Sequence, residues 1–263
     1  MVPILPRGAA VCLSGGMRSV VGVLLLVSGL LFATPSAAAA TTVKVLQLNI
    51  CHSGHAGCYA GAEPVMAKAV SVIDSVNPQV VSVNEACSGD VARLKAAVGA
   101  SQAVFVPAQT RDGGVVTCTN GQQYGNIVIV VDGLAGGPPS TGRYVAQDSG
   151  NEMRVWACLP AGGISACTTH LSAKSGTVAL AQCKELLGRA VGLPGPTVVS
   201  GDMNLRYQGS PNVQDCNPAG FYRKGDGDLQ HVFASNSLAF VSGTEISMSG
   251  TTDHPAWLVT VTA

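Results

Sequence analysis

Surplus charge of either sign is missing from this sequence. Lys and Arg total 15 against 15 Asp and Glu, and charged residues make up only 11% of the 263 positions. Without a basic excess there is no stripe to draw nucleic acid through its general field, so any nucleic-acid chemistry must reside in a local site. Long hydrophobic runs are missing too. The most apolar stretch, VVGVLLLVSGLLFA, falls short of the roughly 20 residues that a spanning helix needs. No Gly-x-Ser-x-Gly elbow is present to support acyl transfer, and no His-Glu-x-x-His to support a zinc protease. Neither a tandem repeat nor a linker-like change of composition divides the chain.

The apolar stretch has its own reading. Arg7 and Arg18 precede it and TPSAAAA follows, which is the three-part pattern of a secretory signal peptide. Residues 1–40 are expected to be a leader cleaved near Ala40, and residues 41–263 one secreted, monomeric domain. The remaining 263 − 40 = 223 residues can bury a sizeable core. Losing Arg7 and Arg18 leaves 15 − 2 = 13 basic residues against 15 acidic ones, a net charge near −2.

Cys12 falls within the leader, and eight cysteines remain. An even number in an exported chain implies disulfides, with on the order of a hundred possible connectivities. CLPAGGISAC reads as strand, turn, strand, which opposes Cys158 to Cys167. Proximity pairs Cys51 with Cys58, although CHSGHAGC also has the spacing of a zinc knuckle. Cys183 with Cys216 and Cys87 with Cys118 complete the set as one assignment among several.

Valine-rich runs predict strands over 43–50, 79–84, 102–107, 126–131, 153–159, 164–170, 196–200, 229–234, 237–242 and 256–262. Helical spacing predicts helices over 63–76, 89–98 and 177–191. Stretches rich in glycine or proline at 112–114, 133–142, 208–220 and 225–227 read as loops. The pattern is that of an α/β (α+β) protein with two packed sheets and helices outside. Polar or ionisable residues recur at the strand tips: Asn49, Glu85, His170, then Asp202 and Asn204, with Asp253 and His254 leading into the last strand. Gathered at one edge, oxygen ligands of this kind suit a hard cation such as Mg²⁺ or Mn²⁺. Carboxylate and imidazole beside such an ion describe metal-assisted hydrolysis of a phosphate ester.

LNI, VNEAC, YGNIVIV, CTTHL, SGDMN and TTDHP occur in this order between residues 43 and 262. In that order the chain resembles the endonuclease/exonuclease/phosphatase superfamily, the deoxyribonuclease I-like fold. The resemblance implies a four-layered sandwich of two mainly antiparallel sheets flanked by helices, with a divalent-metal site at one edge. By the same resemblance Asn49 contacts phosphate or a metal-bound water, and Glu85 is the principal metal ligand. Asp202 orients the attacking water, Asn204 holds a phosphate oxygen, and Asp253 supports a metal. His254 serves as base or hydrogen-bond donor, and His170 as general acid.

Two departures stand out. Cys51 occupies a place where the family often has an acidic residue. Gln230, in DLQHVFAS, stands where the family has an Asp that pairs with the catalytic histidine. A glutamine carbonyl can fix a histidine tautomer but cannot supply charge to an imidazolium. Asp228, two residues earlier, could substitute if the strand bends. Glu152 and Arg154 are candidates to orient His170 or bind substrate, with a salt-bridged strand face as the alternative. His231 reads as structural, Arg206 as an ordinary surface charge, and His52 and His55 as residues hanging over the site. The function expected is a secreted phosphodiesterase acting on nucleic acid. Lipid phosphodiesterase, phosphomonoesterase and a non-catalytic binding protein are the alternatives.

Overall fold

The computed structural model describes residues 12–13, 41–133, 136–161 and 163–263, so the expected leader lies almost wholly outside the described residues. In chain order the elements are β1 (Thr42–Asn49), α1 (Ala62–Val76), β2 (Val80–Cys87), α2 (Asp90–Val98), β3 (Ser101–Pro107) and β4 (Gln109–Thr110). There follow β5 (Tyr124–Val131), β6 (Ser140–Arg143), β7 (Glu152–Met153), β8 (Val155–Ala161), β9 (Ile164–His170), α3 (Gly176–Ala190) and β10 (Thr197–Asp202). After a short 3₁₀ turn come β11 (Phe221–Gly225), β12 (Gln230–Ser235), β13 (Ala239–Ile246) and β14 (Ala256–Thr262).

Two six-stranded sheets result, with orders β13-β14-β1-β2-β5-β3 and β11-β12-β10-β9-β8-β6, and β4 and β7 form a small third sheet. Each large sheet holds a single parallel pair, β1 with β2 and β9 with β10, and every other pairing is antiparallel. A helix joins each parallel pair, α1 in one sheet and α3 in the other, because parallel neighbours need a crossover. The two sheets pack face to face through Val45, Val80, Val128, Ala157, Ala166, Val198 and Val259. Leu46 and Leu48 turn outward onto Val65, Ala69 and Ile73 of α1. Val199 turns outward onto the α3 layer around Leu186. The order is helix, sheet, sheet, helix, as the resemblance implied.

Successive strand residues point to opposite faces, so every second residue enters the layer between the sheets. In β1 that inner face reads Val43, Val45, Gln47, Asn49. In β2 it reads Val80, Ser82, Asn84; in β9 Ile164, Ala166, Thr168, His170; in β10 Val198, Ser200, Asp202. All four strands grade from aliphatic to polar toward their C-terminal ends. Hydroxyls occupy the middle, where Ser82 and Thr168 hydrogen-bond across the sheets at 2.6 Å. Amides come next and ionisable groups last. The site is the polar end of a core that changes character in steps.

β6 and β11 lie where no strand was expected, β6 overlapping the loop predicted at 133–142. Both are edge strands with largely exposed or half-buried side chains, so they lack the apolar alternation that marks a buried strand. β13 continues to Ile246, beyond the expected 242. Disulfides join Cys51 to Cys58, Cys87 to Cys118, Cys158 to Cys167 and Cys183 to Cys216.

Candidate active site

A cleft of about 300 Å³ opens where the polar ends of the strands meet, lined by Glu85, Tyr124, Glu152, Arg154, His170, Asp202, Asn204 and His254. Glu85 reaches it through a backbone irregularity. The β2–β5 register shifts between Val83 and Ala86, and Glu85 adopts the left-handed conformation at φ 57°. Bulges of this kind re-aim a side chain at a sheet rim. Asn204 uses the same conformation at φ 48° to turn the chain after β10.

Asn49 ties the metal-ligand candidate to the water-orienting candidate. Its Nδ2 donates to Glu85 Oε1 at 2.9 Å and to Asp202 Oδ2 at 3.0 Å, while its Oδ1 accepts the Cys51 backbone N–H at 3.1 Å. Asp202 Oδ1 accepts the Asn204 backbone N–H at 3.0 Å, and the Asn204 amide donates to the Leu171 carbonyl at 3.0 Å. Asp202 Oδ2 also receives Gln230 Nε2 at 3.0 Å and faces His254 Nε2 at 3.4 Å. From the opposite sheet, His170 Nε2 lies 4.0 Å from Glu85 Oε1.

Burial raises the Glu85 carboxyl above its ordinary pKa against the pull of the Asn49 hydrogen bond, and Asp202 and Asp253 add repulsion. Burial pushes His170 well below the ordinary histidine value, and the Arg154 and His254 charges push the same way, so the ring is held neutral. Arg154 lies against Glu152 at 3.0 Å with its side chain only 12% exposed. Burial opposes its charge, but Glu152, Tyr124, Glu85 and Asp202 more than offset that. Glu152 and Arg154 therefore form the salt bridge of the second alternative, and both line the cleft.

Other candidates stand apart. Asp253 is 59% exposed on the outer side of His254, its Oδ1 lying 3.6 Å from Nε2, and it does not line the cleft. Asp228 does not substitute for the missing Asp, because it pairs with Arg206 on the surface. That pair also makes Arg206 more than an isolated surface charge. His231 is structural, its Nε2 donating to the Leu205 carbonyl at 2.9 Å and its Nδ1 lying 3.0 Å from Arg223 Nη1. Only one of the two loop histidines overlooks the site. His55 lines the cleft, whereas His52 is buried behind it at 2.7 Å from Asp90 Oδ2. The cleft wall that carries His55 is tied to the neighbouring loop by Thr119 N donating to the Ser53 carbonyl at 2.9 Å.

The polar groups fit a hard divalent cation. Glu85 is a partly buried carboxylate beside Asp202, so the ligand atoms these two offer are oxygen. Among the described residues no closed set of three His, Cys, Asp or Glu surrounds Glu85. The two clusters that do approach that density use Cys51 and Cys58, or Cys87, all in disulfides, so they offer no thiolate.

Solved structures of similar fold include the endonuclease/exonuclease/phosphatase from Bacteroides vulgatus, at 14% identity over 84% of this chain and 98% of that chain, TM-score 0.62. The human Nocturnin catalytic domain with bound sulfate anion aligns at 17% identity over 86% and 97%, TM-score 0.64. Truncated Caenorhabditis elegans TDP2 aligns at 16% over 84% and 98%, TM-score 0.59. At these identities the likeness is one of fold. No curated protein matches the sequence. The model of the endonuclease/exonuclease/phosphatase family, however, matches residues 46–254. The chain belongs to that family, whose members hydrolyse phosphoesters and generally use divalent metal ions.

Proposed function

We propose that the protein is a secreted, Mg²⁺- or Mn²⁺-dependent phosphodiesterase that cleaves extracellular nucleic acid. The observation that carries this reading is the convergence of Glu85, His170, Asp202, Asn204 and His254 from both sheets on one cleft, with Asn49 bridging Glu85 and Asp202 behind it. Glu85 would hold the ion, with Asp253 at most an outer support given its exposed position. The ion would supply charge neutralisation for the phosphoryl oxygens and a template for the substrate. Asn204 and Arg154 offer donors to the phosphate. Asp202 orients the attacking water and takes its proton as the new O–P bond forms. The P–O bond to the leaving group breaks, and that oxygen draws its proton from solvent. His170 supplies a neutral hydrogen-bonding ring, since burial beside Arg154 works against storing a proton there. Four disulfides and the leader-like first forty residues support export. No helix of the described residues is long and apolar enough to cross a membrane.

The test is hydrolysis of plasmid DNA and of bis-p-nitrophenyl phosphate with Mg²⁺, Mn²⁺ or EDTA, beside His254→Ala. Cleavage of both substrates, abolished by EDTA and by the substitution, is expected. Cleavage of the small diester alone would redirect the reading to lipid or other phosphate esters. No turnover of either would sink it.

A further inference from the structure

A run of buried amides fixes which nitrogen of His254 carries its proton. It starts from a backbone group of unambiguous polarity: the Asp202 N–H donates to Asn84 Oδ1 at 2.8 Å. The same oxygen accepts Gln47 Nε2 at 2.7 Å, and that nitrogen also donates to the Leu48 carbonyl at 3.1 Å. Turning the Gln47 amide over would set its oxygen against two acceptors. Gln230 Oε1, at 3.0 Å, is a third acceptor around this nitrogen, and the three share its two N–H groups. The Gln230 NH₂ is left facing Asp202 Oδ2 at 3.0 Å and His254 Nδ1 at 3.3 Å. Turning Gln230 over would place its oxygen against a carboxylate and its nitrogen against the nitrogen of Gln47. Its orientation is determined from both ends.

A neutral imidazole has one N–H and one lone pair. An Nδ1 that meets an N–H donor must present the lone pair. Across the ring, the groups near Nε2 are acceptors, Asp202 Oδ2 at 3.4 Å and Asp253 Oδ1 at 3.6 Å, with no hydrogen bond formed to either, which leaves an Nε2–H free for the cleft. We infer that Gln230 is a positioning residue that holds neutral His254 as the Nε2–H tautomer, a hydrogen-bond donor into the cleft. This reverses the expected contact, in which the glutamine carbonyl would have met an Nδ1–H. The inference deepens the hydrolase reading and rests on it for its functional meaning. With Nε2 already protonated, His254 donates to a phosphoryl oxygen and does not receive the water's proton, so Asp202 is left with that task.

Long-range ¹⁵N–¹H correlation spectra of the ¹⁵N-histidine-labelled protein at neutral pH test this directly, with His254→Gln used for assignment. The expected pattern places the His254 proton on Nε2. A proton on Nδ1, alone or beside one on Nε2, overturns the inference. In Gln230→Glu an acceptor replaces the donor, and the proton is expected to appear on Nδ1. If that variant melts like the parent and Nδ1 stays bare, the role assigned to Gln230 is wrong. Neither measurement needs a substrate. A protein with the Nε2–H pattern that cleaves no phosphodiester would retain this inference and refute the functional reading.

Discussion

Glu85 combines two costs that an ordinary strand residue would avoid. Its backbone occupies the left-handed region, and its carboxylate is partly buried among other acids. Both are the kind of local strain that persists where a side chain must be aimed. Glu85→Gln keeps the shape and removes the charge. Turnover is expected to fall by about a hundredfold or more, on the scale of losing one preorganised electrostatic contact. The melting temperature should hold or rise, because a repelled buried charge has gone. A variant that loses stability and keeps its turnover would refute both halves of this account.

His231 makes the opposite case, a buried histidine that belongs to the scaffold. Burial, against the Leu205 carbonyl bond, depresses its pKa from 6.5 to about 4 in the folded protein. Between those values the unfolded chain binds a proton that the folded one refuses. Its contribution to stability is complete above pH 6.5 and is lost as pH falls toward 4, by about 3 kcal/mol at most. Chemical denaturation at several pH values should show this slope. His231→Gln, which retains a donor and an acceptor, should flatten it.

At the level of elements, the approach of β9 to β10 sets the distance between His170 and Asp202. Gly201 pairs with Thr169 in that ladder, and a Cβ on it would lie 2.1 Å from the Thr169 carbonyl oxygen. Gly201→Ala must therefore push the two strand ends apart. A loss of about 1–3 kcal/mol is expected from the overpacking, together with a larger loss of turnover than unfolding explains. Gly188 is the control. It lies exposed in α3 with open space around its Cβ position, and Gly188→Ala should stabilise by about 0.4–1 kcal/mol. Thermal melts of the two variants should move in opposite directions.

The same elements show what the sequence disclosed. Strands β1, β2, β9, β10 and β14 were legible because they are short runs of valine, other β-branched and small apolar residues, and the residues at their tips were legible with them. The polar ladder behind the tips was missed, although VKVLQLN and VVSVNE contain it at every second position. Reading that period would have found Gln47 and Asn84, which meet the site from behind, Asn84 through the Asp202 backbone N–H and Gln47 through Gln230. Asp228 was misjudged because spacing along a strand does not say which surface cation will capture a carboxylate. His52 was misjudged for the converse reason, since Asp90, its buried partner, lies on a helix 38 residues away. Long-range pairing of this sort leaves no local trace in the sequence.

At the scale of the whole molecule, β14 lies between β13 and β1, so the last strand covers the first. His254 enters the site on the segment that leads into β14, and Thr252 Oγ1 donates to the Asn49 carbonyl at 3.0 Å. A chain ending at Ser249 would lack that strand and leave β1 an open, apolar edge. Such an edge recruits other chains. The truncated protein is expected to aggregate, with no soluble folded species by size-exclusion chromatography and circular dichroism.

The pairing of first strand with last also orders events in time. Asn49 is among the earliest residues of the domain to be made and His254 among the latest, and contacts so far apart in sequence form slowly. The chemistry therefore has a built-in delay. A half-finished chain carries Glu85, His170 and Asp202 but not His254, so the cleft that all four line is incomplete. The cleft is complete only once the final strand has found its first.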